Sequence, residues 1–337
     1  MRPTLQLLLV CQLLNLSIAA SYAQGDPSSA VADPNFYDVP APGRMVDLGG
    51  YSLHINCQGT GSPTVILDAG IGDWSTHWTA VQNLLKADTR VCSYDRAGYG
   101  WSEPGPRPRD SSRIAGELHS LLDKARIDPP YILVGHSFGG FNMRLFASTY
   151  PDEVAGLVLV DASHQGSLTL QRNPDGSIPS TGMSGNQLMA IQPTNEEDLK
   201  FPAEAQAAIH DNLLHTKSMV TARSEFRSLG FSVQELKQSA PLGHLPLIVL
   251  TRGKRVWPDD AIGNAKEKNW QDEQAELVKL SYNSSQRIAL NSGHHIHLDE
   301  PKVVADAIRD LTIMARKQQT AASAPATDKN ANLNQTP

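Results

Sequence analysis

Residues Tyr131–Ala147 read YILVGHSFGGFNMRLFA, and this stretch decides the fold. Its first four residues are apolar and β-prone, as in a strand buried on both faces, whereas apolar residues from Phe141 onward recur at helical spacing. Between them stands a Gly-x-Ser-x-Gly pattern in which Gly135 and Gly139 flank Ser137. A serine on so sharp a turn is sterically crowded, and glycines two residues away relieve the crowding. The turn is expected to lift the Ser137 hydroxyl beyond the sheet edge, at the positive end of the following helix.

Ser137 is therefore a candidate nucleophile. The alternative is a glycine-rich turn between strand and helix that carries an idle serine. A nucleophilic serine needs a general base, an acid that orients the base, and hydrogen-bond donors for the oxyanion. The rest of the chain is expected to supply these groups.

Size and composition describe an ordinary globular protein. The chain has 337 residues, of which 40% are hydrophobic and 19% charged. This length fits one domain of about 250 residues with an insertion, or two domains. The net charge of −6 is mild and no basic block occurs, so a nucleic-acid partner is not expected.

Residues 1–23 have the pattern of a signal peptide. Arg2 supplies a positive start, 5–18 is largely apolar, and Ser21 and Ala23 are small residues at the −3 and −1 positions. The apolar run is interrupted by polar residues and is short for a membrane span, as is every later segment. Cleavage after Ala23 and a secreted or periplasmic location are expected.

Two cysteines, Cys57 and Cys92, remain after that cleavage. In an oxidising compartment they could form a disulfide, and they could equally be buried thiols on neighbouring strands. The sequence leaves both possibilities open.

Strand and helix patterns alternate over 43–164 and again over 244–316, which predicts a mostly parallel sheet. Residues 24–42 are rich in Pro, Ser and Asp and are predicted to be a linker. Residues 165–243 interrupt the alternation and are predicted to form a partly helical cap over the carboxyl edge of the sheet. The alternative for this segment is a solvated insertion with no role in binding. Residues 317–337 are predicted to be a disordered tail that follows a closing helix.

Three motifs in a fixed order carry a family resemblance. They are the loop Asp95–Ser102 (DRAGYGWS), the GHSFG turn at 135–139, and Gly293-His-x-x-x-x-Asp-Glu-Pro301. Together they resemble the α/β-hydrolase family over roughly 45–315, outside the cap. The resemblance implies an α/β fold with a mostly parallel central sheet of about eight strands, helices on both faces and a helical cap insertion. It also implies hydrolysis of a small-molecule substrate, most simply an ester, through an acyl-Ser137 intermediate, with no metal or organic cofactor.

By the same resemblance the base is His294, the histidine directly after Gly293. His295 and His297 are lesser candidates. Three histidines within four positions also suggest a metal site, but no fourth ligand completes a recognisable pattern, so no metal is expected.

The acid of the triad has several candidates. In many relatives it follows the strand that here ends near Leu250, where Asp259 and Asp260 arrive later than the family pattern places it. Other relatives carry it after the preceding core strand, and Asp161 occupies that position. Asp161 is preferred, and Asp259 and Asp260 remain alternatives.

The resemblance assigns the oxyanion donors to the backbone N–H groups of Phe138 and Ile71. Many relatives have His-Gly where this chain has Ala69-Gly70, so the shape of this loop is open. The loop 95–102 is predicted to be structural, with Arg96 paired to a nearby acid.

Trp74, Trp78 and Phe138 lie near the predicted site and suggest an apolar acyl or aromatic substrate, although they could equally pack under the cap. A small or medium apolar ester is therefore the favoured substrate. An aminopeptidase, which would use the acidic residues 196–198 to hold an amine, a lactonase, a perhydrolase and a non-catalytic binding protein are the alternatives. An epoxide hydrolase or dehalogenase is disfavoured because the turn carries Ser137 where those enzymes need Asp.

Overall fold

The computed structural model describes residues 39–166, 200–213 and 216–323, and within them the fold is built on an eight-stranded sheet. The predicted signal peptide, 1–23, and most of the predicted linker lie outside the described residues. The strands are β1 (Arg44–Asp47), β2 (Ser52–Gln58), β3 (Thr64–Asp68), β4 (Val91–Tyr94), β5 (Tyr131–His136), β6 (Val154–Val160), β7 (Leu247–Arg252) and β8 (Ser284–Ala289).

The sheet order is β1-β2-β4-β3-β5-β6-β7-β8. The first two pairings, β1 with β2 and β2 with β4, are antiparallel, and all others are parallel. The chain runs from β3 to β4 on one side and then returns past β3 to β5. Parallel sheets bind ligands at the carboxyl ends of their strands where such a reversal occurs. The predicted α/β fold with a mostly parallel sheet is confirmed, and the candidate site is expected at this edge.

The helices lie on both faces of the sheet. They are α1 (Thr79–Leu85), α2 (Ser111–Lys124), α3 (Gly139–Thr149), α4 (Ala203–Leu213), α5 (Thr216–Gln238), α6 (Ala261–Val278), α7 (Ile296–Asp299) and α8 (Pro301–Ser323), with 3₁₀ turns at Ser75–Trp78 and Pro151–Glu153. No helix in the described ranges combines the length and apolar character that crossing a bilayer requires.

Alternating residues of the central strands supply a core on each face. Ile66 and Leu133 pack among apolar residues of α2 and α3, whereas Val65 and Val134 pack among those of α1 and α8. All four side chains are fully buried. A strand with both faces covered reads as a continuous apolar run, which is why the β5 pattern was recognisable.

Helices α4 and α5 come from the predicted cap segment, 165–243. Leu229 and Val233 of α5 pack with Phe138 and Phe141, at the start of α3. Residues 167–199 and 214–215 of that segment lie outside the described residues, so its function as a cap stays a prediction.

The last helix is longer than predicted. The sequence pattern predicts a disordered tail over 317–337 after the closing helix, but α8 continues to Ser323. The extension, KQQTAAS, is rich in Ala, Gln and Lys, which have high helix propensity. Residues 324–337 lie outside the described part of the chain.

Cys57 and Cys92 form a disulfide. They are directly opposite each other on the antiparallel strands β2 and β4. The pairing resolves the alternative that the sequence left open, and it ties the antiparallel edge of the sheet to its parallel part.

We predict that replacing both cysteines with serine lowers stability. The bridge joins residues 35 apart in sequence, and its removal frees the unfolded chain from that loop constraint. The loss is expected to reach about 4 kcal/mol. Urea unfolding of the oxidised protein and the double variant measures it, and reduced wild type should match the variant. Equal stability of all three samples would contradict the prediction.

The turn between β5 and α3 depends on its glycines, as predicted. A Cβ added at Gly135 would lie 2.5 Å from the carbonyl oxygen of Gly139, and one added at Gly139 would lie 2.5 Å from that of Asp68. Both clashes are with backbone, which cannot rotate away. The glycines therefore permit the close contact between the turn, α3 and β3.

We expect Gly135→Ala to destabilise the fold by roughly 1–3 kcal/mol, because the backbone has to shift to admit the methyl group. Gly116→Ala is the matched control, since this glycine lies in α2 and nothing beyond its chain neighbours and the local helix backbone lies within 4 Å of the added Cβ. The control should be neutral or up to about 1 kcal/mol more stable. Urea unfolding compares the two variants, and similar stabilities would show that the crowding is unimportant.

Candidate active site

Ser137 directly follows β5 and has a φ of 50°, the left-handed region that non-glycine residues seldom occupy. Its N–H donates to the carbonyl oxygen of Val160 at 3.2 Å. Its own carbonyl oxygen accepts hydrogen bonds from Ser163 at 3.0 Å and Gly140 at 3.1 Å. Three backbone hydrogen bonds thus hold the strained conformation in place.

Asp161 occupies the corresponding position after the neighbouring strand β6, with a φ of 40° and no solvent exposure. Its Oδ2 lies 2.7 Å from Nδ1 of His294 and 3.0 Å from a guanidinium nitrogen of Arg252. Its Oδ1 accepts from Nε1 of Trp270 at 2.9 Å and from the Arg252 backbone N–H at 3.2 Å. In all of these hydrogen bonds the Asp161 oxygens are the acceptors, so the ionised form of the carboxyl group is favoured.

Burial alone raises the pKa of Asp161, but the hydrogen bond from His294 and the nearby positive charge of Arg252 outweigh it. The pKa is held below its usual value. Asp161 is therefore an anion at neutral pH.

His294 lies on the loop after β8 and reaches back to Asp161. Because the carboxylate accepts a hydrogen bond from Nδ1–H, the neutral ring has its lone pair on Nε2, where a base needs it. The Trp270 ring packs edge-on against the imidazole at a centroid distance of 5.7 Å. Nε2 of His136 bonds to the carbonyl oxygen of His294 at 3.1 Å, which joins this loop to the residue before Ser137.

The structure separates the candidate acids. Asp161 contacts His294, whereas the Asp259 side chain is 80% exposed and pairs with Arg255. Asp260 caps helix α6 by accepting from the Gly263 N–H at 2.7 Å. Among the three, the geometry for orienting an imidazole belongs to Asp161.

His295 and His297, the other two histidines of the loop after β8, have neighbours other than Asp161. Nε2 of His295 lies 3.5 Å from Oδ2 of Asp73. His297 is fully buried, with its ring 4.5 Å from that of Trp78. Neither is the partner of Asp161.

The predicted oxyanion donors lie on the loop after β3 and at the start of α3. Within the described residues, neither the Ile71 nor the Phe138 N–H donates a hydrogen bond. Phe138 immediately precedes α3, so the positive end of the helix reinforces its N–H. Both groups are thus available to a ligand.

Arg96 fixes the shape of the β3 loop. Its buried guanidinium donates to the carbonyl oxygens of Ala69 at 2.6 Å and Gly70 at 2.7 Å. It also pairs with Asp68 and with Glu225 of α5, each at 2.7 Å. This chain has Ala69-Gly70 where many relatives have His-Gly. The hydrogen bonds from Arg96 to both carbonyl oxygens nevertheless give the loop a defined shape. The predicted pairing of Arg96 with an acid is observed, but Glu225 had no sequence signal that identified it.

A second group of polar residues lies beside the site and was missed by sequence reasoning. Oδ1 of Asp73 is 3.2 Å from Nε2 of His77, and Oδ2 is 3.5 Å from Nδ1 of His136. Burial lowers the pKa of His136 to about 4. The sequence pattern does not single out His136, because this residue occupies a variable position of the Gly-x-Ser-x-Gly motif. Asp73 and His77 are remote from that motif in sequence.

The aromatic residues expected near a substrate have distinct surroundings. Trp78 is fully buried in the core beneath the sheet edge. Trp74 packs against Phe201 and α4, and Phe138 packs against α5. These aromatics are packed in the fold, so they do not by themselves form a substrate pocket.

Comparisons with known proteins agree with this architecture. A family model described as alpha/beta hydrolase fold matches residues 63–301. The protein YqjL of Bacillus subtilis (strain 168) is 30% identical over 279 residues, which cover 82% of this chain and 94% of that protein.

Solved structures of similar fold include enzymes of different chemistry. A thermophilic esterase from Thermogutta terrifontis has a TM-score of 0.57 and 20% identity, covering 81% of this chain and 98% of its own. The epoxide hydrolase CorEH has a TM-score of 0.57 and 19% identity, covering 80% and 98%. At these identities the likeness concerns the fold alone. The match of the family model over most of the chain, on a sheet with the expected order of strands, shows that the chain belongs to the α/β-hydrolase family.

Proposed function

We propose that this hydrolase is a serine hydrolase that cleaves small or medium apolar carboxylic esters through an acyl-Ser137 intermediate. The observation that carries the proposal is the 2.7 Å contact between Nδ1 of His294 and the buried Asp161 carboxylate, on the loop that His136 ties to the Ser137 turn. An imidazole oriented by a buried carboxylate, on a loop joined to a strained serine turn, supports activation of that hydroxyl.

The proposed mechanism assigns one role to each of these groups. Nε2 of His294 takes the proton as Ser137 Oγ attacks the ester carbonyl, and Asp161 stabilises the resulting imidazolium. The N–H groups of Ile71 and Phe138 stabilise the oxyanion, each contributing about 3 kcal/mol. His294 then protonates the leaving alcohol, and it later activates the water that releases the acid.

The preference for an apolar substrate rests on three half-buried side chains. Ile71 lies on the β3 loop, Phe226 on α5 and Leu298 on α7, and each packs only partly against the neighbouring apolar clusters. Ile71 also carries one proposed oxyanion N–H. An apolar acyl group bound at that N–H would be close to these side chains.

The same groups would open a lactone or transfer the acyl group to peroxide, so these reactions remain alternatives. An aminopeptidase would need the acidic residues 196–198, which lie outside the described residues. A binding protein without catalysis would not turn over any ester.

Export from the cytoplasm is part of the proposal. Residues 1–23 have a signal-peptide pattern, and the Cys57–Cys92 disulfide fits an oxidising compartment.

We expect Ser137→Ala to lower kcat for p-nitrophenyl esters by at least about 10⁴-fold, because the acyl enzyme cannot form. A series of increasing acyl length, assayed with wild type, should show kcat/KM rising from acetate toward medium chains. Absence of ester turnover by wild type, or equal rates for Ser137→Ala, would contradict the proposed function. A preference for lactone or aminoacyl substrates would assign one of the alternatives.

We expect Asp161→Asn to reduce kcat by about 10³–10⁴-fold, because the amide stabilises neither the required tautomer nor the imidazolium. Asp259→Asn is the matched control and should retain wild-type kcat, since its side chain is exposed and far from the histidine in the hydrogen-bond network. Steady-state kinetics with one ester compares them. Full activity of Asp161→Asn with loss in Asp259→Asn would assign the acid to the later loop.

A further inference from the structure

A group of three potential metal ligands lies beside the proposed triad. One potential ligand atom from each of Asp73, His136 and His295 lies within 4.8 Å of the other two. Nδ1 of His136 and Nε2 of His295 each lie 3.5 Å from Oδ2 of Asp73. Asp73 lies on the β3 loop, His136 ends β5, and His295 lies on the loop after β8. The cluster therefore joins three segments that also carry the proposed active-site groups.

The separations within the cluster suit shared coordination better than direct hydrogen bonding. Both histidine nitrogens lie 3.5 Å from the Asp73 oxygen, beyond the usual length of a hydrogen bond between nitrogen and oxygen. Two ligand atoms of a tetrahedral Zn²⁺ ion are about 3.4 Å apart, given bonds of about 2.0–2.1 Å. A small movement of the side chains would bring the three atoms around one ion.

The tautomer of His136 strengthens this argument. Its Nε2 bonds to the carbonyl oxygen of His294, and because a carbonyl can only accept, this nitrogen is the donor. Nδ1 of the neutral ring then carries a lone pair, which faces the Asp73 carboxylate. In the part of the chain that the structure describes, Nδ1 has no hydrogen-bond partner, and the side chain is 1% exposed. Two buried acceptors that face each other repel, and a cation between them converts the repulsion into binding.

The other carboxylate oxygen of Asp73, Oδ1, lies near His77, which can hold the carboxylate in the orientation that metal binding needs. Nδ1 of His77 accepts the Trp74 N–H at 3.3 Å, so Nε2 of the neutral ring is a donor. This nitrogen lies 3.2 Å from Oδ1 of Asp73. Such outer hydrogen bonds orient ligating carboxylates, and here the bond leaves Oδ2 directed toward the two histidines.

Gly70 preserves the space between two of the ligand atoms. A Cβ at this position would lie 3.0 Å from Nδ1 of His136 and 3.1 Å from Oδ2 of Asp73. Its φ is not in the left-handed region, so the reason for glycine here is the close approach to the cluster.

We propose that Asp73, His136 and His295 bind one divalent transition-metal ion, for which Zn²⁺ is the best fit. Two imidazoles and one carboxylate suit Zn²⁺ and its neighbours in the first transition row, and they do not suit Ca²⁺ or Mg²⁺, which prefer oxygen ligands. The ion would hold the residue before Ser137 and the residue after His294 at a fixed separation. Its role is thus to position the two loops, independently of the substrate.

The test uses the full-length protein without a histidine tag, stripped of metal with a chelator. Titration calorimetry should show one Zn²⁺ bound per chain, and Zn²⁺ should raise Tm by a few degrees because it binds only the folded state. His295→Gln should weaken Zn²⁺ binding by at least about 100-fold, because loss of an outer-shell partner alone costs about 10–100-fold and His295 is proposed as a direct ligand.

His119→Gln is the matched control. The two side chains are similarly exposed, at 35% for His119 and 32% for His295, and each lies near a carboxylate, Glu153 in the case of His119. The control should bind Zn²⁺ as wild type does. Binding that is absent in wild type, unchanged in His295→Gln, or lost equally in both variants would overturn the proposal and leave a cluster held by hydrogen bonds alone.

X-ray absorption at the zinc edge of the wild type provides a readout that does not depend on how the variants fold. The proposed site predicts two imidazole nitrogens and at least one oxygen around zinc, at about 2.0–2.2 Å. A shell of oxygen atoms alone would place the metal elsewhere and overturn the assignment.

Discussion

The arrangement of the site depends on one buried carboxylate. Asp161 accepts hydrogen bonds from His294, Trp270 and Arg252, which belong to the loop after β8, to α6 and to β7. An ionised group without solvent contact is stable only when such donors replace its water. Folding therefore has to bring these elements together around Asp161, and the contact that satisfies its charge also orients the His294 ring.

Sheet register places this carboxylate beside the serine turn. Val160 pairs with His136 on one side and with Leu250 on the other, so Ser137 and Asp161 emerge at the same level of adjacent strands. Both residues have positive φ, and each turns the chain sharply away from the sheet. Strain at the two positions is offset by backbone hydrogen bonds to neighbouring strands. The positions of Ser137 and Asp161 are thus set by the centre of the sheet, whereas His294 and the proposed oxyanion donor Ile71 lie on loops.

On the other side of the Ser137 turn, Arg96 holds the β3 loop in place. It holds the β3 loop through two carbonyl oxygens and reaches Glu225 of α5 at the same time. The Tyr99 hydroxyl extends this network, accepting from the Gly72 N–H and donating to Glu225. The loop that carries the proposed oxyanion donor is therefore coupled to a helix of the insertion. Movement of α5 would therefore shift the β3 loop and the oxyanion donor proposed on it.

Local physical rules made part of this arrangement predictable. The Ser137 turn could be identified because its glycines, strand and helix are contiguous, and the sheet could be identified because buried strands are continuously apolar. Contacts between residues far apart in sequence could not be derived in the same way. Glu225 is one of two acidic residues on α5, and nothing in the sequence links it to Arg96. The pairing of Cys57 with Cys92 required the register of β2 and β4. The cluster around His136 was hidden because its members come from three segments that are far apart in sequence: the β3 loop, the end of β5 and the loop after β8.

Reaction with a fluorophosphonate probe, followed by peptide mass spectrometry, tests the central claim most directly. The account predicts a single covalent adduct on the Ser137 side chain, formed far more slowly when His294 is replaced by glutamine. A folded wild-type protein that forms no adduct, or forms one on another residue, would contradict the account.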